Sequence, residues 1–223
     1  MNWAPFILSF KLAFITAILL FAIGVPLAFW LNHLKRKRLA IVIESILSLP
    51  LVLPPTVIGF YLLVMLSPNS GLGGFLDQNF NIRLVFTFPG LVLGSLIYSL
   101  PFMVQPLLTG FRSLPANYYR SAQLMGKTNM NILRKVLLPN MKPAILSGLV
   151  LSFAHTVGEF GIVLMVGGNI PTKTRVASVA IYDAVEMMDY AQAHIYSVLL
   201  VAMSFVVLTL AYSYQRRPSK LVL

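Results

Sequence analysis

The sequence predicts an all-α, polytopic membrane protein, a single domain over 1–223 with about five transmembrane helices, and three observations lead there. Of 223 residues, 58% are hydrophobic and only 10% charged, against about 25% charged in a soluble globular domain. Several apolar stretches reach the roughly 20 residues that a helix needs to cross a bilayer. Lipid offers no hydrogen bonds, and a helix satisfies its backbone within one segment. The chain contains no cysteine, which removes disulfides, thiolate metal sites and Cys nucleophiles together. No metal site and no cofactor are expected.

The first apolar stretch, 6–31, is interrupted only by Lys11 near its start. It lacks a basic leading region, exceeds a typical signal-peptide core and is followed by Lys35, Arg36, Lys37 and Arg38 rather than a cleavage site, so a retained helix is expected. The second, 39–66, carries Pro50, Pro54 and Pro55. The third, fourth and fifth cover 89–109, 143–166 and 193–214. The region 167–192 is too polar for a clear span, although 176–185 suits a short helix or a re-entrant piece.

Basic residues orient this arrangement. In a five-span reading, Lys35–Arg38, Arg112, Arg120, Lys127, Arg134, Lys135, Lys142, Arg216, Arg217 and Lys220 share one side, thirteen of the 17 cations. The other side keeps Lys11, Arg83, Lys173 and Arg175, together with Asp77, Asp183, Glu186 and Asp189. The N-terminus is therefore expected outside and the C-terminus in the cytoplasm. The net charge of +11 is then a topology signal, and no nucleic-acid partner is expected.

Connections between packed helices are usually short, so the cytoplasmic stretch 111–140 calls for a reason. Ser113 and Pro115 make a plausible start for one helix, with Tyr118, Ala122 and Met125 on one face. Gly126 suits the left-handed conformation that closes it. Thr128 or Asn129 can cap a second helix, whose apolar face is Ile132, Leu133, Val136 and Leu137, and Pro139 stops it. The pair forms either a ridge offered to a partner or an amphipathic element lying on membrane lipid. Gly126-Lys127-Thr128 looks like the end of a phosphate-binding loop, but Ser121 stands where the first glycine belongs and no strand precedes it. ATP binding by this chain is rejected.

Arg120-Ser121-Ala122, Gly126 and Val136-Leu137-Leu138-Pro139 match the spacing of the EAA motif of bacterial ABC-importer permeases: E-A-A, three residues, Gly, nine residues, then I-x-L-P. By this resemblance the element is a coupling helix that docks into a groove of a cytoplasmic ATPase. It assigns ATPase coupling to Arg120, Ser121, Ala122, Gly126, Val136, Leu138 and Pro139. The chain departs from the motif at Arg120, where the family has Glu, and at Ser121, where it has Ala. The run 49–59 (LPLVLPPTVIG), the run 157–161 (VGEFG) and the run 168–175 (GNIPTKTR) resemble signatures of molybdate permeases. Sulfate and tungstate permeases share parts of them, Gly-Glu-Phe-Gly above all.

The resemblance implies a type I ABC-importer permease fold in the bacterial inner membrane. It implies a homodimer, a separate ABC ATPase, an extracytoplasmic (periplasmic) oxyanion-binding protein, and molybdate import by alternating access. A related oxyanion is the first alternative. A stand-alone channel or ion-coupled transporter is the second, and the structured loop and lack of an inverted repeat argue against it. The chain is not expected to be an enzyme: it has three histidines, and only one carboxylate stands out within a span.

Pathway or gate candidates are Pro54, Pro55, Thr56, His155 and Glu159. Pro54 and Pro55 remove two backbone donors and leave carbonyls near Pro50 and Leu51 without helical partners. Such breaks either line a transport route, with Thr56 supplying a hydroxyl, or merely shape packing. His155 and Glu159 stand four apart and so share a helical face. Glu159 either locks helices by pairing with His155 or a cation, sits in water at the outer end, or excludes ions at a gate. Gly90 and Gly94, and the stripe Gly148, Ser152 and Thr156, suit close helix packing, with dimerisation as the minority reading. Glu44 is expected to pair with the basic run 35–38.

Overall fold

The computed structural model describes residues 2–215; Arg216, Arg217 and Lys220, expected on the cytoplasmic side, lie outside them. The described secondary structure is entirely helical. The helices are α1 (Ala4–Asn32), α2 (Lys37–Ser48, extended by one 3-10 turn, Leu49–Leu51), α3 (Pro55–Leu66), α4 (Gly71–Phe80) and α5 (Phe88–Ser113). There follow α6 (Ala116–Leu124), α7 (Asn129–Ile132), which runs through a π turn (Leu133–Leu137) into α8 (Leu138–Asn140), α9 (Lys142–Gly158), α10 (Gly161–Gly167), α11 (Ala177–Glu186) and α12 (Tyr190–Gln215).

Among the described residues, α1, α5 and α12 are each long and apolar enough to cross a membrane. The stretch 39–66 is not one rod. Leu51 and Pro55 bracket a bend of 103° between α2 with its 3-10 turn and α3. The donors that a helix would aim at the Pro50 and Leu51 carbonyls belong to Pro54 and Pro55, which have no N–H. The stretch 143–166 is broken as well, since α9 ends at Gly158 and α10 begins at Gly161. The segment 176–185 holds the short helix α11.

The core is the contact of α1, α5 and α9. Leu20 of α1 and Met103, Val104, Leu107 and Leu108 of α5 are fully or almost fully buried. Glycines permit the approach: a Cβ on Gly24 or on Gly148 would stand 2.8 or 2.9 Å from the Met103 side chain. Gly94 faces Ile162 and Gly90 faces the Leu84 carbonyl oxygen, so both pack inside one chain. Ser152 and Thr156 are buried on α9.

One end of the bundle gathers the basic segments. Phe29 and His33 at the end of α1 lie against Phe111 and Tyr119, with the His33 and Tyr119 rings 4.6 Å apart. Arg112 makes a two-pronged ion pair with Glu44, at 3.2 and 2.7 Å. This corrects the expectation for Glu44: the run 35–38 is close in sequence, but α2 carries the carboxylate to the end of α5. At the opposite end, Arg83 pairs with Asp77 at 3.0 Å and Arg175 with Asp183 at 3.1 Å. Lys11 lies over the Phe88 ring at 4.9 Å.

Candidate functional site

Two places concentrate polar chemistry. The first is where the two broken stretches meet. The break before α3 leaves Pro54 as its cap, and the break after α9 leaves Glu159 extended at φ −66° and ψ 131°. Gly161, first residue of α10, is pressed against α3: a Cβ there would lie 3.0 Å from the Pro55 Cβ and 3.3 Å from the Thr56 nitrogen. Gly59 makes the same close approach one turn on, to Met165 and Ile162. The structure thus joins Pro55 and Thr56 to the Gly-Glu-Phe-Gly run. Pro54 and Thr56 remain exposed on this chain.

Glu159 is 4% exposed, and neither carboxylate oxygen has a hydrogen-bond partner among the described residues. Its backbone carbonyl accepts a 2.6 Å bond from the Ser178 hydroxyl on α11. Ser95 and Tyr98 of α5 are its polar neighbours. His155 is held elsewhere: its Nδ1 lies 2.9 Å from the Ser99 hydroxyl, and its ring stacks on Phe102 with centroids 4.0 Å apart. Ser99 also bonds Thr156 at 3.0 Å. Of the readings open for Glu159, pairing with His155 is absent, because the helix stops at Gly158 and the two residues no longer share a face. Sequence reasoning missed Ser95 and Ser99. Their spacing of four on an apolar helix was the available signal.

The glycine-to-arginine run 168–175 ties the C-terminal end of α10 to the N-terminal end of α11. Gly168, Asn169 and Thr172 have positive φ values of 65°, 54° and 63°. Fully buried Thr174 donates to the Gly167 carbonyl at 2.7 Å and accepts from the Ile170 N–H at 2.9 Å. Asn169 donates to Asp183 at 3.0 Å and accepts from Arg175 at 2.7 Å. The run is a folded knot that positions α11, and α11 in turn holds the Glu159 backbone.

The second place is the loop 111–140. Gly126 has φ +69° and closes α6, with its N–H on the Gln123 carbonyl at 2.9 Å and the Lys127 N–H on that of Ala122 at 3.2 Å. Thr128 caps α7 by accepting from the Asn131 N–H. The Tyr119 hydroxyl reaches Asn129 at 2.9 Å and ties the two halves together. Ala122, Ile132, Leu133 and Leu137 are buried in the same core as Leu31, Phe111 and Met141. Val136 and Leu138 are half-buried, while Ser121 and Pro139 are exposed. Of Tyr118, Ala122 and Met125, the core covers Ala122 but not the other two, which are 43% and 70% exposed. Nor does Pro139 stop the helix, which runs through it to Asn140.

Comparison with known proteins gives the family. Residues 24–220 match the family model described as binding-protein-dependent transport system inner membrane component. The molybdenum transport system permease protein ModB of Azotobacter vinelandii is 46% identical over 94% of this chain and 92% of its own. The sulfate transport system permease protein CysT of Salmonella typhimurium is 33% identical over 88% of this chain and 70% of its own. A bacterial ABC transporter that imports alginate shares the fold at a TM-score of 0.79 and 20% identity, with 97% of this chain and 79% of that chain covered. The MetNI methionine ABC transporter in an inward-facing form does so at 0.70 and 18%, with 94% and 92% covered. The chain belongs to the family of inner membrane components of binding-protein-dependent transport systems, the permeases of ABC importers.

Proposed function

We propose that the chain is the permease subunit through which an ABC importer carries molybdate into the cytoplasm. It works as a homodimer, with a separate ABC ATPase on its basic end and an extracytoplasmic oxyanion-binding protein at the other. The observation that carries the transport reading is the contact of two interrupted stretches at Pro55, Thr56 and Gly161. Interrupted helices free backbone groups at membrane depth and allow one segment to rock against another. Molybdate as cargo is supported by 46% identity, nearly end to end, to a molybdenum permease, against 33% for a sulfate permease.

The paired Arg83, Arg175 and Lys11 at one end, against the cation-rich other end, support an N-terminus outside and a C-terminus in the cytoplasm. ATP-driven closure of the ATPase moves the element around Gly126. Ile132, Leu133 and Leu137 pass that movement to α1 and α5 through the core they share. The α3–α10 contact then changes which side the route faces. Pro54, Pro55 and Thr56 line that route, and Glu159 with His155 acts at its closure rather than on the anion, because a carboxylate repels a dianion. The test is uptake of labelled molybdate by cells that lack their own molybdate permease, complemented with this chain, its ATPase and its binding protein. Uptake that survives excess sulfate supports molybdate. Equal competition by sulfate or tungstate reassigns the cargo, and uptake without the ATPase rejects the importer reading.

A further inference from the structure

Arg120 is exposed on α6, and among the described residues it makes neither a hydrogen bond nor an ion pair. The chain could hardly supply a partner. No acidic residue lies between Asp77 and Glu159, the latter is buried elsewhere, and Glu44 is taken by Arg112. The Arg120 side chain stands at a cavity of about 380 Å³ whose wall includes Asn32, His33, Arg112 and Tyr119. Arg112 and Arg120 border the cavity together with the paired rings of His33 and Tyr119. Beyond Arg120 on the same element, Leu124 and Met125 are 89% and 70% exposed. The other side of this element, at Ala122, is buried in the core.

We infer that the ATPase partner presents a carboxylate to Arg120, in a groove whose apolar part takes Leu124 and Met125. This rests on the permease reading and specifies the chemistry of its partner. The motif that the loop resembles carries Glu at this position, so a groove built for it would offer a cation. Two cations facing each other at a partly buried contact cost affinity, and complementary charge restores it. The cavity beside Arg120 admits an Asp or Glu side chain, and Arg112 adds to the positive field there. Association of this pair therefore weakens as salt rises.

The experiment uses the complete complex, co-expressed with its own ATPase. Arg120→Lys keeps the charge and adds an amine that carbodiimide chemistry joins to a carboxylate in contact. Expected is a cross-linked peptide linking position 120 to an Asp or Glu of the ATPase, and about tenfold or greater loss of co-purified ATPase in Arg120→Glu. Cross-links through Lys127 but none through position 120, in an assembled complex, would overturn the inference. Wild-type assembly of Arg120→Glu with loss of retained anionic phospholipid would overturn it too, and would assign the cavity to a lipid headgroup. If the wild-type chain captures no ATPase, the permease reading falls and this inference with it.

Discussion

Thr174 spends its hydroxyl twice, on the Gly167 carbonyl and the Ile170 N–H, with no exposure to water. Thr174→Val keeps the shape and orphans both groups, a cost of about 1–3 kcal/mol. A lower melting temperature of the purified chain is the expected result. Glu159 poses the opposite problem, a buried carboxyl whose oxygens lack partners in this conformation. A buried polar group is costly unless another arrangement satisfies it. Glu159→Gln is expected to insert and bind the ATPase normally but to slow molybdate uptake about tenfold or more, since a bond to a charged group is worth about 1.5–3 kcal/mol. Wild-type uptake by this variant would remove Glu159 from the transport cycle. At this scale the sequence singled out Glu159 and His155, and of the readings it left open for Glu159 the pairing with His155 is not the one the structure forms. That reading assumed a continuous helix, whereas α9 stops at Gly158 and α3 packs against Gly161 just beyond the break.

Among the elements, the loop 111–140 was the most legible. Its caps, its closing glycine and its buried residues Ile132, Leu133 and Leu137 follow from local rules of helix termination and amphipathicity. Gly126 has open space around it, so a side chain there meets only backbone strain. Gly126→Val forces a β-branched residue into the left-handed region at about 1–2 kcal/mol or more. The expected outcome is weakened capture of the ATPase with normal insertion and an intact α1–α5–α9 core, read by co-purification and by protease resistance. Tyr118 and Met125 were less legible. Helical spacing says that residues share a face, and only the neighbouring core decides whether that face is covered. The prolines at 50, 54 and 55 announced a break, but not its bend of 103°.

For the whole molecule, the distribution of cations makes the boldest statement. Arg83 and Arg175 are each met by a carboxylate and Lys11 by the Phe88 ring, while at the cation-rich end one ion pair, Arg112 with Glu44, forms among the described residues. The absence of cysteine permits a clean test, because any introduced thiol is unique. Exposed Lys173→Cys is expected to react with an impermeant maleimide on intact cells, and Arg36→Cys only after the membrane is opened. The reverse pattern would invert the orientation.

By itself the sequence determined the class, the helical content and the seat of the basic residues. Each of these is set by local composition against the bilayer: apolar length, self-satisfied backbone and cation placement. It also determined the form of the loop around Gly126, which ends as local caps dictate. Only the tertiary structure decided that Glu44 reaches Arg112, that His155 turns to Ser99, and that Pro55 and Thr56 meet Gly161. Those contacts join residues tens of positions apart. They depend on which helices lie side by side, and the close approaches at Gly24, Gly94, Gly148 and Gly161 fix that.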